Sequence, residues 1–245
     1  MPTLTAIIPT YNEEAYIEAA LKSVRFADQI IVVDSYSTDK TEEIARKYAT
    51  VFLQRTFDTF SSQKNHAITH ATCDWILFVD ADERITYPLQ VEIKRAMQTA
   101  KYVGYKLSFP HFYMNRFLTH HSSDVLRLVK REGTRYEGLV HEKLNIKGSI
   151  NTLKNPVLHF TYKGLDHYIE KRESYAWLQA AQLQKKGKKV TLLLLFFKPL
   201  WRFFSSYILK GGFKDGIPGL SISSINAYGV FSRYVKLALL QKGMR

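Results

Sequence analysis

The chain has 245 residues, of which 46% are hydrophobic, and it carries 35 lysine and arginine residues against 22 aspartate and glutamate residues. This length and apolar fraction are typical of a globular protein with a full core, and the single cysteine excludes an internal disulfide framework and a cysteine-rich zinc site. The N-terminus has neither a basic start nor an apolar run long enough for a secretory signal, so we expect synthesis and residence in the cytoplasm.

The net charge of +13 is concentrated in the second part of the chain. Residues 1–150 hold 19 lysine and arginine residues against 18 acids, whereas residues 151–245 hold 16 against 4. Such an asymmetry is typical of a protein with a polyanionic partner, either a nucleic acid or an anionic membrane surface.

Apolar strands and helices alternate over the first hundred residues. Strands are predicted over residues 3–9, 29–34, 51–53 and 75–79. Helices are predicted from residue 10 to about 26, with Asn12 as the cap, and over residues 40–48, 61–67 (within the segment 57–70) and about 88–100. This alternation predicts an α/β fold with a mostly parallel, doubly wound sheet. No glycine-rich dinucleotide fingerprint follows the first strand.

The strand that begins at Trp75 ends in two carboxylates, Asp80 and Asp82. Its continuous apolar run predicts a strand buried on both faces, and ligands of open α/β sheets bind outside the carboxyl ends of such strands. Residues two apart in an extended segment point to the same side. Asp80 and Asp82 could therefore hold one hard cation, or one could bind the metal and the other a sugar hydroxyl. The alternative is a solvated acidic turn without a ligand.

Beyond residue 100 the pattern changes to longer strands and then to helices. Strands are predicted over residues 104–112, 124–130 and 156–160, with a hairpin region over 133–150. Helices are predicted over residues 165–184, 190–209 and 217–240. We therefore expect a first domain over residues 1–160 and a helical C-terminal region over residues 161–245.

The segment 190–209 is apolar for long stretches but carries Lys198, Pro199 and Arg202 near its middle. A membrane-spanning helix needs about twenty apolar residues without such charges, so this segment is a poor transmembrane candidate. An interfacial helix is better supported, with Trp201 and the phenylalanines at lipid depth and the basic residues facing anionic headgroups. The alternative is an ordinary core helix that packs on the sheet domain.

Four segments near the N-terminus together resemble the inverting family 2 glycosyltransferases of the GT-A fold. These segments are residues 6–14 (AIIPTYNEE), 31–41 (IVVDSYSTDKT), 63–65 (QKN) and 75–84 (WILFVDADER). The second half resembles the branch that contains lipopolysaccharide-core sugar transferases, on residues 126–128, 140–144, 158–160 with 168–171, and 211–216. The resemblance implies a GT-A-like nucleotide-sugar-binding and catalytic domain. The charge and the apolar run of the C-terminal region predict that the extension after it is helical, basic and membrane-associating.

The resemblance also implies which residues bind the nucleotide sugar. Pro9, Tyr11 and Glu13 would line the base and ribose, Asp34 would accept a hydrogen bond from the base, and Lys64 would lie near the nucleotide. The chemistry agrees, because a tyrosine can cover a uracil, a strand-end carboxylate can bind ribose hydroxyls, and a lysine attracts phosphate. Taken alone, Glu13 and Asp34 could instead be helix-dipole and capping residues.

Glycosyl transfer from a sugar nucleotide needs stabilisation of the leaving group and deprotonation of the acceptor hydroxyl. For the first task we expect a divalent metal, Mg²⁺ or Mn²⁺, on Asp82, with Asp80 in donor binding. For the second we expect Glu142 to be the general base, since the family places an acid of that role there. The alternative is that Glu142 is a surface acid paired with Lys143 or Arg135.

Two further residues have two interpretations each. His159 could be a second metal ligand, since neutral imidazole binds Mn²⁺, or it could be a core histidine. Arg127 could lie near the diphosphate, or it could form a surface salt bridge.

The resemblance therefore implies an inverting, metal-dependent glycosyltransferase. It would move a glucose-like hexose from a UDP-sugar to a lipid-linked or phosphorylated saccharide, peripherally at the inner face of the cell membrane. A polyprenyl phosphate acceptor is the second enzyme hypothesis, although such relatives usually carry longer apolar C-terminal spans. The hypothesis from another class is a non-catalytic nucleic-acid- or nucleotide-binding protein. We expect no nucleic-acid partner, because the aromatic and leucine runs are contiguous and not spaced as stacking positions in a basic groove.

Overall fold

The structure of the protein, a computed structural model, describes residues 1–99, 101–137, 143–160 and 165–244. Two compact units divide the chain. The first comprises Met1–Pro110 and Ser123–Phe160, and the second comprises His111–Ser122 and Thr161–Arg245. The predicted division at residue 160 assigned residues 111–122 to the first domain, whereas their contacts group them with the C-terminal helices.

Strands and helices alternate at the start of the first unit, as the sequence predicts. The strands are β1 (Leu4–Thr10), β2 (Gln29–Asp34), β3 (Val51–Gln54), β4 (Trp75–Phe78) and β5 (Glu83–Ile85). The helices are α1 (Ile17–Ser23), α2 (Thr41–Arg46), α3 (Phe60–Ile68) and α4 (Tyr87–Thr99). The fold class is thereby confirmed, although the first two helices are shorter than predicted.

Three longer strands, β6 (Gly104–Tyr113), β7 (Arg116–Lys130) and β10 (Ile150–His159), complete the main sheet. Its described strands follow the order β3-β2-β1-β4-β7-β6-β10-β5. Parallel pairing joins β1 to β2 and β4, β2 to β3, and β6 to β10. Antiparallel pairing joins β4 to β7 and β5 to β10. The short strands β8 (Arg135–Glu137) and β9 (Lys143–Asn145) form a separate antiparallel pair.

The sheet of the first unit is buried on both faces. Since successive residues of a strand point to opposite sides, each strand contributes to two cores. Ala6 and Ile8 of β1 share a core with residues of α1, α2 and α4, whereas Ile7 belongs to a second core with Ala67 of α3. All these residues are fully buried. This two-sided burial explains why the strands are continuously apolar. Because β1 to β4 pair in parallel, their polar ends lie at one edge of the sheet.

The first helix differs from its prediction, because the chain after β1 forms a loop. Asn12 adopts a left-handed backbone with φ of 52°, a conformation that asparagine tolerates better than most residues. Its side-chain Oδ1 accepts a hydrogen bond from the backbone N–H of Thr38 at 2.8 Å. Helix α1 begins only at Ile17 and has no side-chain cap. The prediction that Asn12 caps this helix is wrong, since its side chain joins the loops that follow β1 and β2.

The second unit is built on three helices, α5 (Leu165–Lys185), α6 (Leu192–Phe204) and α7 (Ile217–Gln241). A π-helical turn (Ser205–Leu209) and a 3-10 turn (Gly212–Asp215) connect α6 to α7. Ala180 of α5 packs with Tyr234 and Leu237 of α7, and partly buried leucines of α6 cover this core. The predicted helical C-terminal region is confirmed.

A buried polar network holds these turns to the strand segment of the second unit. His121 contacts Asp215 Oδ2 through Nδ1 at 3.2 Å and Ser206 Oγ through Nε2 at 3.1 Å, and Ser223 donates to Ser206 at 3.1 Å. A Cβ on Gly212 would lie 2.7 Å from the His121 ring and 2.8 Å from the Ser206 carbonyl. Only glycine fits there. The residues of this network are buried, so its serines, histidine and aspartate stabilise the packing of these segments and do not form a reactive centre.

Helix α6 is exposed to an unusual degree for its composition. The segment Leu192–Leu209 is long and apolar enough to cross a membrane, and 6% of it is buried in the protein. A single helix of this kind is only weak evidence for a membrane span. None of the residues of α6 is buried. The core-helix interpretation of this segment is therefore wrong.

Candidate functional site

A pocket of about 770 Å³ opens in the first unit, at the edge where the parallel strands end. Its walls come from the segments after β1, β2, β3 and β4 and from α3. The lining residues are Pro9, Thr10, Tyr11, Glu13, Ser35, Thr56, Phe57, Phe60, Gln63, Lys64, Asp80, Ala81 and Asp82. This position is where open α/β sheets bind their ligands.

Backbone hydrogen bonds between two strand-end loops fix one wall of the pocket. The N–H of Glu13 donates to Thr41 Oγ1 at 2.7 Å, and the N–H of Glu14 donates to Asp39 Oδ2 at 3.1 Å. These side chains satisfy backbone donors that no helix or strand uses. Tyr11, 56% exposed, is thereby held at the pocket mouth by a rigid backbone.

Asp34 does not line the pocket. Its side chain is fully buried, and it accepts hydrogen bonds from the backbone N–H and the hydroxyl of Ser37. Asp34 therefore closes the turn after β2 and caps no helix, since α2 begins at Thr41 without a side-chain cap. A contact between Asp34 and a nucleotide base stays a prediction.

Asp80 is held by an ion pair with a buried arginine. Nη2 of Arg127 lies 2.6 Å from Asp80 Oδ2 and 2.7 Å from Glu83 Oε1. Strand β7 supplies Arg127, and its pairing with β4 places Leu128 opposite Leu77. The side chains of Arg127 and Glu83 are only 10% and 1% exposed. The surface salt bridge considered for Arg127 is therefore wrong.

The two acids that contact Arg127 have pKa values shifted in opposite directions. Burial alone would raise the pKa of Asp80, but the Arg127 guanidinium outweighs it and holds this pKa well below its usual range. For Glu83, burial together with the charge of Asp80 outweighs Arg127 and raises the pKa to about 7. Asp80 is consequently a fixed anion at the pocket wall, while Glu83 takes up a proton near neutral pH.

Asp82 lies in contact with His159. Nε2 of His159 is 3.1 Å from Asp82 Oδ2, and both side chains are partly exposed, at 28% and 27%. The antiparallel pairing of β5 and β10, which places His159 opposite Glu83, brings them together. Burial alone would lower the pKa of His159, but its hydrogen bond to Asp82 and the nearby acids raise it. His159 is therefore not a core histidine.

Asp82 and His159 fit a divalent cation that takes its remaining ligands from elsewhere. Across the described ranges no group of three or more histidine, cysteine or acidic side chains is arranged to hold a metal. Mg²⁺ and Mn²⁺ are commonly bound by one or two protein ligands, with phosphate oxygens and water completing the shell. The pair fits a metal that arrives with a phosphorylated ligand, and it does not fit a resident structural ion.

Two buried polar atoms of pocket-lining residues have no hydrogen-bond partner among the residues that the structure describes. They are Thr10 Oγ1 and Gln63 Oε1. The Gln63 side chain is fixed, since its Nε2 donates to Ser35 Oγ at 2.8 Å. An unsatisfied buried polar atom costs about 1–3 kcal/mol. A ligand with a complementary donor would remove this cost, which indicates a polar ligand for the pocket.

Lys64 of α3 brings a positive charge to the same pocket. Its side chain is largely buried, and Nζ lies 4.9 Å from the centroid of the Tyr136 ring. Its charge also contributes to the low pKa of Asp80. A buried cation beside strand-end acids suits a ligand that carries phosphate groups.

Phe57 and Phe60 line the pocket, and the sequence analysis did not select them. Their rings are 5.0 Å apart in an edge-to-face arrangement, and they are 46% and 57% exposed. Exposed aromatic rings in the wall of a pocket can pack against a flat ligand. The signal was the pair of phenylalanines around Thr59, whose hydroxyl caps α3 by accepting from the N–H of Ser62 at 3.1 Å.

The structure brings most of the predicted site residues together. Pro9, Tyr11, Glu13, Lys64, Asp80 and Asp82 line the pocket, and Arg127 and His159 contact its two aspartates. The sequence analysis gave Glu83 no role, although it completes the Arg127 ion pair. The predicted base Glu142 lies outside the described residues.

Comparison with known proteins identifies relatives along nearly the whole chain. A family model described as "Glycosyl transferase family 2" matches residues 5–162. An uncharacterised glycosyltransferase of Rickettsia bellii is 30% identical over 252 residues, which cover 96% of this chain and 85% of the relative. The lipopolysaccharide core biosynthesis glycosyltransferase LpsC of Rhizobium meliloti is 27% identical, over 96% of this chain and 91% of the relative.

Solved structures with a similar fold include two proteins solved with a bound sugar nucleotide. The mannosyltransferase PcManGT of Pyrobaculum calidifontis, solved with GDP-Man and Mn²⁺, aligns with a TM-score of 0.56 at 16% identity, over 97% of this chain and 87% of that one. Residues 1–349 of S. aureus TarS, solved with UDP-GlcNAc, align with a TM-score of 0.51 at 15% identity, over 99% and 92%. At these identities the likeness concerns the fold, and it confirms the predicted GT-A-like architecture.

Proposed function

The chain belongs to glycosyl transferase family 2, and from that premise we propose that it moves a hexose from a UDP-sugar to a lipid-linked or phosphorylated saccharide, with inversion. The observation that carries this proposal is the strand-end pocket with Asp80 and Asp82 in its wall. The name of LpsC, a lipopolysaccharide core biosynthesis glycosyltransferase, supports a saccharide acceptor of that kind.

The pocket divides into an aromatic part and a charged part, which suits the two ends of a nucleotide sugar. Tyr11, Phe57 and Phe60 are exposed rings that can cover a uracil. Gln63 Oε1, a buried acceptor that lacks a partner within the described residues, suits the imide N–H of that base. Lys64 would then neutralise part of the diphosphate charge.

The acids of the pocket would act at the sugar and the diphosphate. Asp80, kept ionised and oriented by Arg127, would accept hydrogen bonds from ribose or sugar hydroxyls. Asp82 and His159 would hold a divalent cation, Mg²⁺ or Mn²⁺. When bound, such a cation neutralises the charge that develops on the departing diphosphate. The atoms that would hold it are Asp82 Oδ2 and His159 Nε2, which contact each other in this structure.

Inversion requires a base on the face of the sugar opposite the diphosphate. We assign this task to Glu142, which would take the proton of the acceptor hydroxyl as that oxygen attacks the anomeric carbon. If Glu142 is only a surface acid, Asp124 and Glu137 are the next acids to test.

The C-terminal unit would place the enzyme on an anionic membrane surface. Large apolar side chains of α6 are more than half exposed, namely Leu192, Leu193, Phe196, Phe197, Leu200 and Trp201. Residues 151–245 contribute 16 basic residues against 4 acids. Apolar side chains at lipid depth with basic residues at the headgroups are the pattern of an interfacial helix. An acceptor linked to lipid would be presented at that surface.

A thermal-shift series tests the donor assignment. UDP-glucose, UDP-galactose and GDP-mannose are each added with Mn²⁺ and with EDTA, since a ligand that binds only the folded protein raises its unfolding temperature. We expect stabilisation by a UDP-sugar that is larger with Mn²⁺. Stabilisation by GDP-mannose alone would reject a UDP-sugar as the donor.

A further inference from the structure

A second pocket lies entirely within the helical unit and has no part in donor binding. It has a volume of about 320 Å³ and is bordered by α5, α6 and α7. Four basic side chains line it, Arg172 from α5, Lys198 and Arg202 from α6, and Arg233 from α7. Among the described residues no aspartate or glutamate lines this pocket.

The charges of these four side chains are not balanced inside the protein. Arg172 donates to the hydroxyl of Tyr168 at 2.8 Å and Arg233 donates to Gln179 Oε1 at 3.1 Å, and both acceptors are neutral. No hydrogen bond or ion pair of Lys198 or Arg202 with another described side chain is formed. Like charges that converge in a partly enclosed space repel each other. The pocket therefore lacks an anionic partner.

Two further observations indicate that the partner is a bound ligand. Nε of Arg233 is buried and has no hydrogen-bond partner within the described ranges. Glu173, the acid next to Arg172 in sequence, is engaged elsewhere, because it forms an ion pair with Lys236. The pocket thus combines an unsatisfied guanidinium donor with a local excess of positive charge.

The chemistry of the lining residues selects phosphate groups. Three guanidinium groups and an ammonium group offer planar, multiple donors, which match phosphate oxygens. Trp201 also lines the pocket and is 59% exposed. It belongs to the exposed apolar face of α6, which leads away from the charged pocket. An amphiphile with a phosphorylated head would contact both surfaces.

We propose that the pocket formed by Arg172, Lys198, Arg202 and Arg233 binds a phosphate or diphosphate group carried by a lipid-linked molecule. The choice of a lipid as the carrier rests on the proposed function, whereas a site for the phosphate group does not depend on it. The pocket would hold the phosphorylated head while the apolar chain lies along α6.

Titration of the full-length protein with inorganic pyrophosphate tests the phosphate site. The titration is repeated on Lys64→Gln, which weakens any pyrophosphate binding in the pocket of the first unit, so that the two sites are counted separately. Lys198→Gln with Arg202→Gln removes two charges from the pocket, and Lys185→Gln with Lys186→Gln removes two charges from an exposed helix end. We expect the pocket variant to weaken pyrophosphate binding about tenfold or more, with little change in the control. Equal weakening in both variants would overturn the site in favour of diffuse attraction.

A variant that fills the pocket without altering its charge separates shape from electrostatics. A Cβ on Gly229, which also lines the pocket, would lie 3.9 Å from Cβ and Cδ of Arg172. Gly229→Ala therefore fits and is the control, whereas Gly229→Leu occupies ligand space. We expect Gly229→Leu to abolish pyrophosphate binding and to keep UDP binding. Unchanged pyrophosphate affinity in folded Gly229→Leu protein would contradict the proposal.

Vesicles identify the carrier. Phosphatidylcholine vesicles with phosphatidic acid, a phosphate monoester, are compared with vesicles of equal charge that contain phosphatidylglycerol, a diester. We expect a preference for phosphatidic acid that Gly229→Leu removes. Pyrophosphate binding without this preference would reject a lipid carrier in favour of a free phosphorylated compound. Pyrophosphate binding in a protein that binds no nucleotide sugar would reject the proposed donor and keep this site.

Discussion

The two aspartates of the candidate site differ in their partners, although they are only two residues apart. Asp80 is fixed by buried Arg127, and Asp82 contacts partly exposed His159. One acid is therefore a permanent anion of the pocket wall, and the other can exchange its partner for a metal. This division of tasks rests on single side chains and is tested at that level.

Substitution Asp82→Ala tests the metal-binding acid. We expect loss of turnover and of the Mn²⁺-dependent part of UDP-sugar binding, with little change in stability, because this side chain is 27% exposed and contributes little to packing. Calorimetric titration of the UDP-sugar with Mn²⁺ and with EDTA measures both parts. An Mn²⁺-dependent affinity equal to that of the wild type would remove Asp82 from metal binding.

Substitution Arg127→Met tests the buried ion pair. It would leave the buried carboxylate of Glu83 and the partly exposed carboxylate of Asp80 without a counter-charge. Removal of one partner from a buried ion pair costs about 3–5 kcal/mol of unfolding free energy. Because the pKa of Glu83 is raised to about 7 already with Arg127 present, protonation relieves the loss at acid pH. Urea unfolding above and below neutral pH should show the larger loss above it. The control is Arg135→Met at an exposed position. If Arg127→Met loses no more unfolding free energy than this control, the proposed role of the ion pair in stability is contradicted.

The placement of a site residue could be predicted where it follows from the position of that residue along one strand. The apolar run before Asp80 and Asp82 placed both acids at a ligand-binding edge, and the structure has them there. The partners of these acids could not be predicted in the same way. Arg127 is 44 positions from Glu83, and it meets the acids only because β7 pairs with β4 in one register.

At the level of elements, the strands were predicted more closely than the helices. Strand β2 has the predicted bounds, because a continuous apolar run ends at a charged residue. Helix α1 is shorter than predicted, since backbone donors of Glu13 and Glu14 bind side chains of the next loop and do not enter a helix. Local sequence favours a helix there, and contacts between distant loops override it.

One carboxylate, that of Glu92, connects helix α4 to β10 by hydrogen bonds. We expect this connection to make the stability of the fold depend on pH. Glu92 accepts hydrogen bonds from the backbone N–H groups of Lys154 at 2.8 Å and Asn155 at 2.9 Å. Burial alone would raise the pKa of Glu92, but these donors lower it from its ordinary value of 4.5. A lowered pKa stabilises the folded state fully above the unfolded pKa, and this stabilisation is lost as the pH falls through the folded pKa.

Substitution Glu92→Gln measures this contribution. We expect a loss of about 1–3 kcal/mol of unfolding free energy at neutral pH, which shrinks as the pH falls below 4.5. Urea unfolding across that pH range gives the difference from the wild type, and exposed Glu132→Gln is the matched control. A loss that stays constant down to low pH would show that Glu92 does not act through its charge.

At the level of the whole molecule, the distribution of charge along the chain was visible in the sequence. The arrangement of that charge was not, because Arg172 and Arg233 are about sixty positions apart and face one pocket only after α5, α6 and α7 have packed. The exposure of α6 was equally hidden. An apolar helix can be core or interface, and burial alone distinguishes them.

Vesicle binding tests the membrane role of the C-terminal unit. Each basic residue near an anionic surface adds about 1 kcal/mol, and salt weakens this part but not the apolar part. Binding of the wild type should therefore need anionic lipid and weaken with salt. Phe196→Ser with Phe197→Ser should reduce it further, whereas Phe57→Ser with Phe60→Ser in the first unit should not. A wild-type protein that ignores anionic vesicles at every salt concentration would contradict membrane association.

The most direct test of the central claim is acceptor-dependent turnover with the stereochemistry of the product. The protein is incubated with an α-linked UDP-hexose, Mn²⁺ and a lipid-linked core saccharide, and NMR follows UDP release and the new anomeric proton. We predict release of free UDP only with acceptor and a β-linked product. Glu142→Gln should slow this reaction about 10²–10⁴-fold without loss of donor binding. An α-linked product, or no transfer from any UDP-sugar that the protein binds, would contradict the account.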